Sequence, residues 1–229
     1  MKKFMVCVMS ICAMMMLSVV TALAQTQATP DMKGQPGPFP AGTDFYYVTA
    51  VDGGEGVSLF AGNLSKFREE VKINLVLDVS KCESSKQGWF FWNELKENDM
   101  DEKQMDKIKK WILNEFQDEF TRKNKTGLKL AEPKNPVEDA PYELVIRLRK
   151  MNTGNDSGFW VSDTSMKQGG AVVDGTVELV DTKTGEIYSV FAFNRMKSMF
   201  GLSQRERVGD VMGTVGKQVR KIVTEQLGK

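Results

Sequence analysis

Two stretches of the chain alternate apolar and polar residues with a period of two, and this alternation limits the possible folds more than any other feature. In VKINLVLDV, Val71 to Val79, the side chains of Val71, Ile73, Leu75, Leu77 and Val79 point one way and Lys72, Asn74 and Asp78 the other, Val76 being the exception. YELVIRLR, Tyr142 to Arg149, repeats the pattern, with Tyr142, Leu144, Ile146 and Leu148 opposite Glu143, Arg147 and Arg149. Strands of this kind belong to a sheet with one covered and one wet face, which favours antiparallel or mixed pairing over a doubly wound parallel sheet.

Two long amphipathic stretches can supply the cover. From about Met100 to Arg122, Met105, Ile108, Ile112, Phe116 and Phe120 recur at spacings of three and four, with Trp111 beside them. Asp99 and Glu102 form a capping box at its start. From about Ser203 to Leu227, Val208, Val211, Met212, Val215, Val219, Ile222, Val223 and Leu227 form a second stripe. Gly209, Gly213 and Gly216 interrupt that helix at about 1 kcal/mol each relative to alanine, which close packing against the sheet would explain.

VELVDTKTGEIY, residues 177 to 188, reads as a hairpin whose loop is Lys183-Thr184-Gly185, with Gly185 left-handed. That turn joins strands at about 171–181 and 187–195, setting Val177 across from Phe191 and Gly175 across from Phe193. A phospho-acceptor aspartate would need partner motifs for magnesium and phosphate. An aspartic-protease element would need Asp-Thr/Ser-Gly, whereas Asp181 is followed by Thr-Lys. DFYYVTAV, Asp44 to Val51, is β-rich, and the DGGEGVS after it reads as a turn.

The amino terminus, MKKFMVCVMSICAMMMLSVVTALAQTQ, has two lysines, an apolar run and Ala22-Leu23-Ala24, the pattern of a cleaved export signal over residues 1–24. No small residue precedes Cys7 or Cys12, so the mature protein is expected to be unlipidated, soluble, and periplasmic or extracellular. No later run reaches the roughly 20 apolar residues of a membrane span. Residues 25–43, rich in Pro and Gly, read as a linker before a single domain over 44–229. The mature chain is close to electroneutral, unlike a nucleic-acid binder.

The 229 residues include no histidine. Ser-His-Asp and Cys-His nucleophiles, histidine bases and His-ligated zinc are therefore excluded. Asp78, Asp156 and Asp163 are the carboxylates to test for a hydrolase. The loop from Met151 to Gly170 has oxygen ligands but not the spacing of an EF-hand. Glu97 to Asp106 reads as helix capping. Cys82, the only mature cysteine, reads as buried and inert, the alternative being pairing between chains in an oxidising compartment. No cofactor, metal or catalytic set is expected. GWFFWNEL, Gly88 to Leu95, places Trp89, Phe90, Phe91 and Trp92 together, and regular structure cannot turn all four inward. With Phe159 and Trp160 in the loop after the second alternating strand, these are the candidate partner-binding residues.

DAPYELVIRLRK, GGAVVDGTVELVDTKTGEIYSV and the closing amphipathic helix resemble the βα domain of bacterial envelope proteins of the CsgG and TolB amino-terminal kind. The resemblance spans about residues 71–227 and implies a non-catalytic module used in envelope assembly or as a periplasmic adaptor. The expected fold is α+β: a two-layer sandwich with a mostly antiparallel sheet of about five strands and two long helices on one face. The expected function is a non-enzymatic binding or assembly module with a protein partner in the cell envelope. A carboxylate-dependent hydrolase and a small-ligand carrier with an apolar cavity between helix and sheet are the alternatives.

Overall fold

The computed structural model describes residues 27–45, 48, 56–84, 102–123, 125–152, 171–198 and 204–228. Among the described residues seven strands form one sheet: β1 Gly56–Gly62, β2 Lys72–Asp78, β3 Glu83–Ser84, β4 Lys129–Leu130, β5 Tyr142–Asn152, β6 Val172–Asp181 and β7 Ile187–Lys197. Their order is β1-β7-β6-β5-β2-β4, with the two-residue β3 also on β5. Two helices, α1 Glu102–Thr121 and α2 Gln204–Gln226, lie within the predicted spans.

The sheet is mixed, which corrects the expectation of about five mostly antiparallel strands. β5, β6, β7 and β1 pair antiparallel, whereas β2 runs parallel to β4 and β5. The reason is connectivity: α1 lies between β2 and β5 in the chain, and a helical crossover returns the chain in its original direction. β1 was missed as well. It begins at Gly56, inside the stretch that reads as a turn, while most of Asp44 to Val51 lies outside the described residues.

The hairpin forms with Gly185 left-handed as predicted, but its loop is one residue longer than expected, Thr182 to Gly185, because the amide of Asp181 bonds the carbonyl of Glu186 at 2.9 Å. Gly185 takes φ +73° and donates its N–H to the carbonyl of Asp181 at 2.9 Å. The Asp181 carboxylate accepts the amides of Lys183 and Thr184 at 2.8 and 2.9 Å. Val177 faces Phe191 and Gly175 faces Phe193, a register reached through a bulge between Leu179 and Val180.

Alternation then sorts the side chains. Ile73 and Leu75 of β2, Leu144, Ile146 and Leu148 of β5, Val177 and Leu179 of β6, and Phe191 and Phe193 of β7 join one core with Ile112, Phe116 and Phe120 of α1 and Val211, Val215 and Val219 of α2. α2 touches β1, β6 and β7, whereas α1 lies mainly on α2 and meets the sheet at β2 and β4. Two helices side by side on the sheet are thus only part of the arrangement. The α2 glycines explain it: Gly209 abuts the Trp111 indole and Gly216 abuts the Phe116 backbone, so their close packing is against α1 and not the sheet.

The opposite face is not simply wet. Phe60, Ala61, Ile187, Val190 and Ala192 form a second apolar cluster with Phe39, Phe45 and Val48. Phe39 exchanges backbone hydrogen bonds with Ile187 at 2.8 and 3.0 Å, and Gly34 donates to the Phe60 carbonyl at 2.8 Å. Residues 27–43, expected as a spacing linker, are therefore docked on the sheet, because Phe39 buries its ring there at 4% exposure. Pro and Gly content signalled an irregular backbone, not a detached one.

Candidate functional site

Beside that apolar cluster the same face carries a row of charge across three strands. Register places Asp78 of β2 against Arg147 of β5, and Arg147 against Thr176 of β6. Arg147 donates through Nε to Glu178 at 2.9 Å and through Nη1 to Asp78. Glu178 is fully buried and also accepts the Thr176 hydroxyl at 2.8 Å. Arg147 is thereby pinned on two sides, and Nη2 finds no acceptor among the described residues.

The electrostatics follow from burial and pairing. Desolvation pushes Asp78 upward, but the Ser80 hydroxyl and amide and the Arg147 guanidinium outweigh it and hold the carboxyl below its ordinary value. Glu178 goes the other way: burial dominates, and Arg147 and Thr176 offset it only in part, leaving the carboxyl raised. Burial lowers Arg147, yet Glu178 and Asp78 more than reverse this. In the next row Arg149 donates to Asp174 at 3.0 Å, and the other Asp174 oxygen accepts the amide of Arg195 at 2.7 Å. Arg195 takes φ +49°, an uncommon left-handed conformation, which that bond helps hold.

Gly42, Thr43 and Asp44 of the docked amino-terminal segment close a pocket of about 110 Å³ over Asp78, Lys81, Arg147 and Leu148. Lys81 pairs with Asp44 at 2.7 Å. The lining cations, Lys81 and Arg147, are matched one for one by Asp44 and Asp78, so the pocket rim carries no net formal charge. A larger, shallow and open groove of about 550 Å³ shares Asp78 and Arg147 and runs past Val76, Leu77, Val79 and Ser80, with Lys109 of α1 and Glu143 of β5 also lining it.

Of the carboxylates singled out from sequence, only Asp78 lies within the described residues, and it is engaged by Arg147 and Ser80. Asp156, Asp163 and all six candidate aromatic contacts, Trp89, Phe90, Phe91, Trp92, Phe159 and Trp160, lie outside them. Their points of departure are described, however. Ser84 pairs with Met151, Asn152 with Val172, and Val172 with Lys197. The segments bearing the aromatics therefore leave from one end of the sheet. Cys82 is buried, and desolvation pushes its thiol up to about 12.

Sequence reasoning missed Glu178, Asp44 and Lys81. Glu178 was legible once the hairpin was registered, because its polar side then shares a face with Arg147. Asp44 and Lys81 became neighbours only through docking of the amino-terminal segment, which no periodicity announces. Among the described residues no helix is long and apolar enough to cross a membrane, and no cluster of three or more metal-ligating residues occurs.

No protein-family model matches the chain, and no curated protein matches it. Among solved structures it is similar to the PelC dodecamer from Paraburkholderia phytofirmans, with a TM-score of 0.37 and 13% identity over 70% of this chain and 96% of that one. It is also similar to a Xanthomonas campestris protein of the family DUF330, with a TM-score of 0.32 and 12% identity over 89% of this chain and 99% of that one.

Proposed function

We propose that the protein is a non-enzymatic binding module, exported after loss of residues 1–24 and working with a protein partner in the cell envelope. One observation carries this reading. The strand ends at Ser84, Asn152, Val172 and Lys197 are neighbours, so the segments holding Trp89–Trp92 and Phe159–Trp160 leave the sheet side by side. Segments that share a point of departure on a rigid scaffold and carry aromatic residues in their sequence are suited to form an interface.

Asp78 supports the same reading over a hydrolase. Its carboxylate is spent on Arg147 and Ser80, and the same guanidinium binds Glu178, so one cation holds both acids. The helix–sheet space a carrier would use is filled by Ile112, Phe116, Phe120, Phe191 and Phe193, none of them exposed. The resemblance to the CsgG and TolB amino-terminal domains points to envelope assembly as well.

The test is cross-linking of the tagged mature protein in its own envelope, followed by identification of what is captured. A stoichiometric partner that is lost when Trp89 and Trp92 are changed to alanine supports the reading. Absence of any partner, or capture indifferent to both substitutions, overturns it.

A further inference from the structure

The outer edge of β2 combines three observations that the binding reading does not use. β4 covers this edge only at Lys72 and Ile73. There the carbonyls of Val71 and Ile73 accept from Lys129 and Ala131 at 2.9 and 2.8 Å, which fixes the direction of the odd-numbered backbone groups. In a strand the peptide groups alternate sides, so Leu77 and Val79 point their N–H groups, and Leu77 its carbonyl, the same way, out of the sheet. Val79 spends its carbonyl on the turn amide of Cys82 at 3.1 Å. No described strand pairs with Leu77 or Val79 on that side.

The groove of about 550 Å³ lies along this stretch and reaches both faces of the strand, taking in Val76 and Asp78 on one and Leu77 and Val79 on the other. It shares the lining residues Asp78 and Arg147 with the charge-balanced pocket. Asn74 bounds the edge at the other end: its amide group donates to the Val137 carbonyl at 2.9 Å and accepts the Val137 N–H at 2.8 Å. The available length is thus a few residues between Leu75 and Ser80.

We infer that this edge takes an extended polypeptide segment of a partner as an added strand. Main-chain hydrogen bonds to Leu77 and Val79 supply the attachment, and the alternating side chains of the segment supply selectivity. One set packs beside Leu77 and Val79. The other passes Val76 and Asp78, where Nη2 of Arg147 offers a donor and the balanced rim favours an uncharged amide or hydroxyl side chain over an ion. An edge left unpaired among the described residues, without proline, is what natural sheets ordinarily blunt.

The inference rests on the binding-module reading and names the surface and the partner chemistry. Its test uses the isotope-labelled mature protein and a synthetic capped peptide, acetyl-Thr-Val-Thr-Val-Gln-Val-Thr-amide, at millimolar concentration. The expected result is that Leu77 and Val79 amides exchange freely in the unbound protein, then shift and exchange at least about tenfold more slowly with peptide. Val76 and Asp78, whose amides face β5, keep their protection throughout. N-methylation of the peptide amides that face the edge abolishes the effect, and methylation of the alternate amides preserves it. Protection of Leu77 and Val79 in the free protein, no response to peptide, or equal loss with both methylation patterns overturns the inference. A partner captured through Trp89 and Trp92 with this edge unresponsive leaves the binding module standing and removes only the edge.

Discussion

Gly216 of α2 lies so close to Phe116 of α1 that a Cβ on the glycine would overlap the Phe116 carbonyl oxygen. Neither partner can yield, because one is a helix backbone and the other is buried between helix and sheet. Gly213, one turn earlier, has its nearest neighbours at 3.4 and 3.5 Å, ordinary contact.

These two glycines should respond oppositely to alanine. Gly216→Ala should cost about 2 kcal/mol, overpacking outweighing the gain in helix propensity. Gly213→Ala should be neutral or stabilise by up to about 1 kcal/mol. Urea denaturation of both variants checks the pair, and equal effects would contradict the packing described.

Arg147→Ala should destabilise by about 3 kcal/mol at neutral pH, since it leaves Glu178 buried without its cation. The pH dependence has a definite sign. Glu178 is already raised above the ordinary 4.5, and loss of Arg147 raises it further. Above the unfolded value the unfolded chain gives up this proton while the folded chain retains it, so folding weakens as pH rises. The deficit should therefore be smaller at pH 4 than at pH 7, and Glu178→Gln in the same background should reduce it at pH 7.

Cys82 should resist alkylation in the folded protein. A thiol moved from 9.0 to about 12 by burial holds roughly a thousandfold less thiolate at pH 8. Iodoacetamide should modify it in urea at the rate of a free cysteine and in buffer only as fast as the protein opens. Rapid labelling of the native protein would refute its burial.

Phe39→Ala should cost about 3 kcal/mol, the usual loss for a buried aromatic ring. It should also uncover Phe60, Val190 and Ala192, visible as increased binding of a hydrophobic dye. An unchanged melting temperature would show that the amino-terminal segment contributes nothing to the sheet.

Legibility in the sequence followed the range of the forces involved. Periodicity is local, and it located α1, α2, β2, β5 and the hairpin, down to the pairing of Gly175 with Phe193. Stability and cover between distant segments were not legible. Phe39 has no periodic neighbours, and nothing in its vicinity predicts that Ile187 is its partner. The glycine stripe announced close packing correctly at Gly209 and Gly216, though not at Gly213, and did not reveal its object, because a stripe of small residues fits a helix as well as a sheet. Glu178 lies between both cases: it alternates correctly on β6, yet its partner Arg147 sits on another strand.

The mixed sheet has a kinetic consequence. β6 and β7 meet across a turn of a few residues, whereas β2 reaches β5 only after the whole of α1 has been placed, and β1 must find β7 from far along the chain. Closing long loops costs entropy before any contact is made, so topology sets the order of events. β1 at one end of the sheet and β2, which only the two-residue β4 covers at the other, are the late arrivals, and the edge inferred to receive a partner is among the last parts of the sheet to be built. In quenched-flow exchange, Val177 should gain protection before Val76, whose amide faces β5.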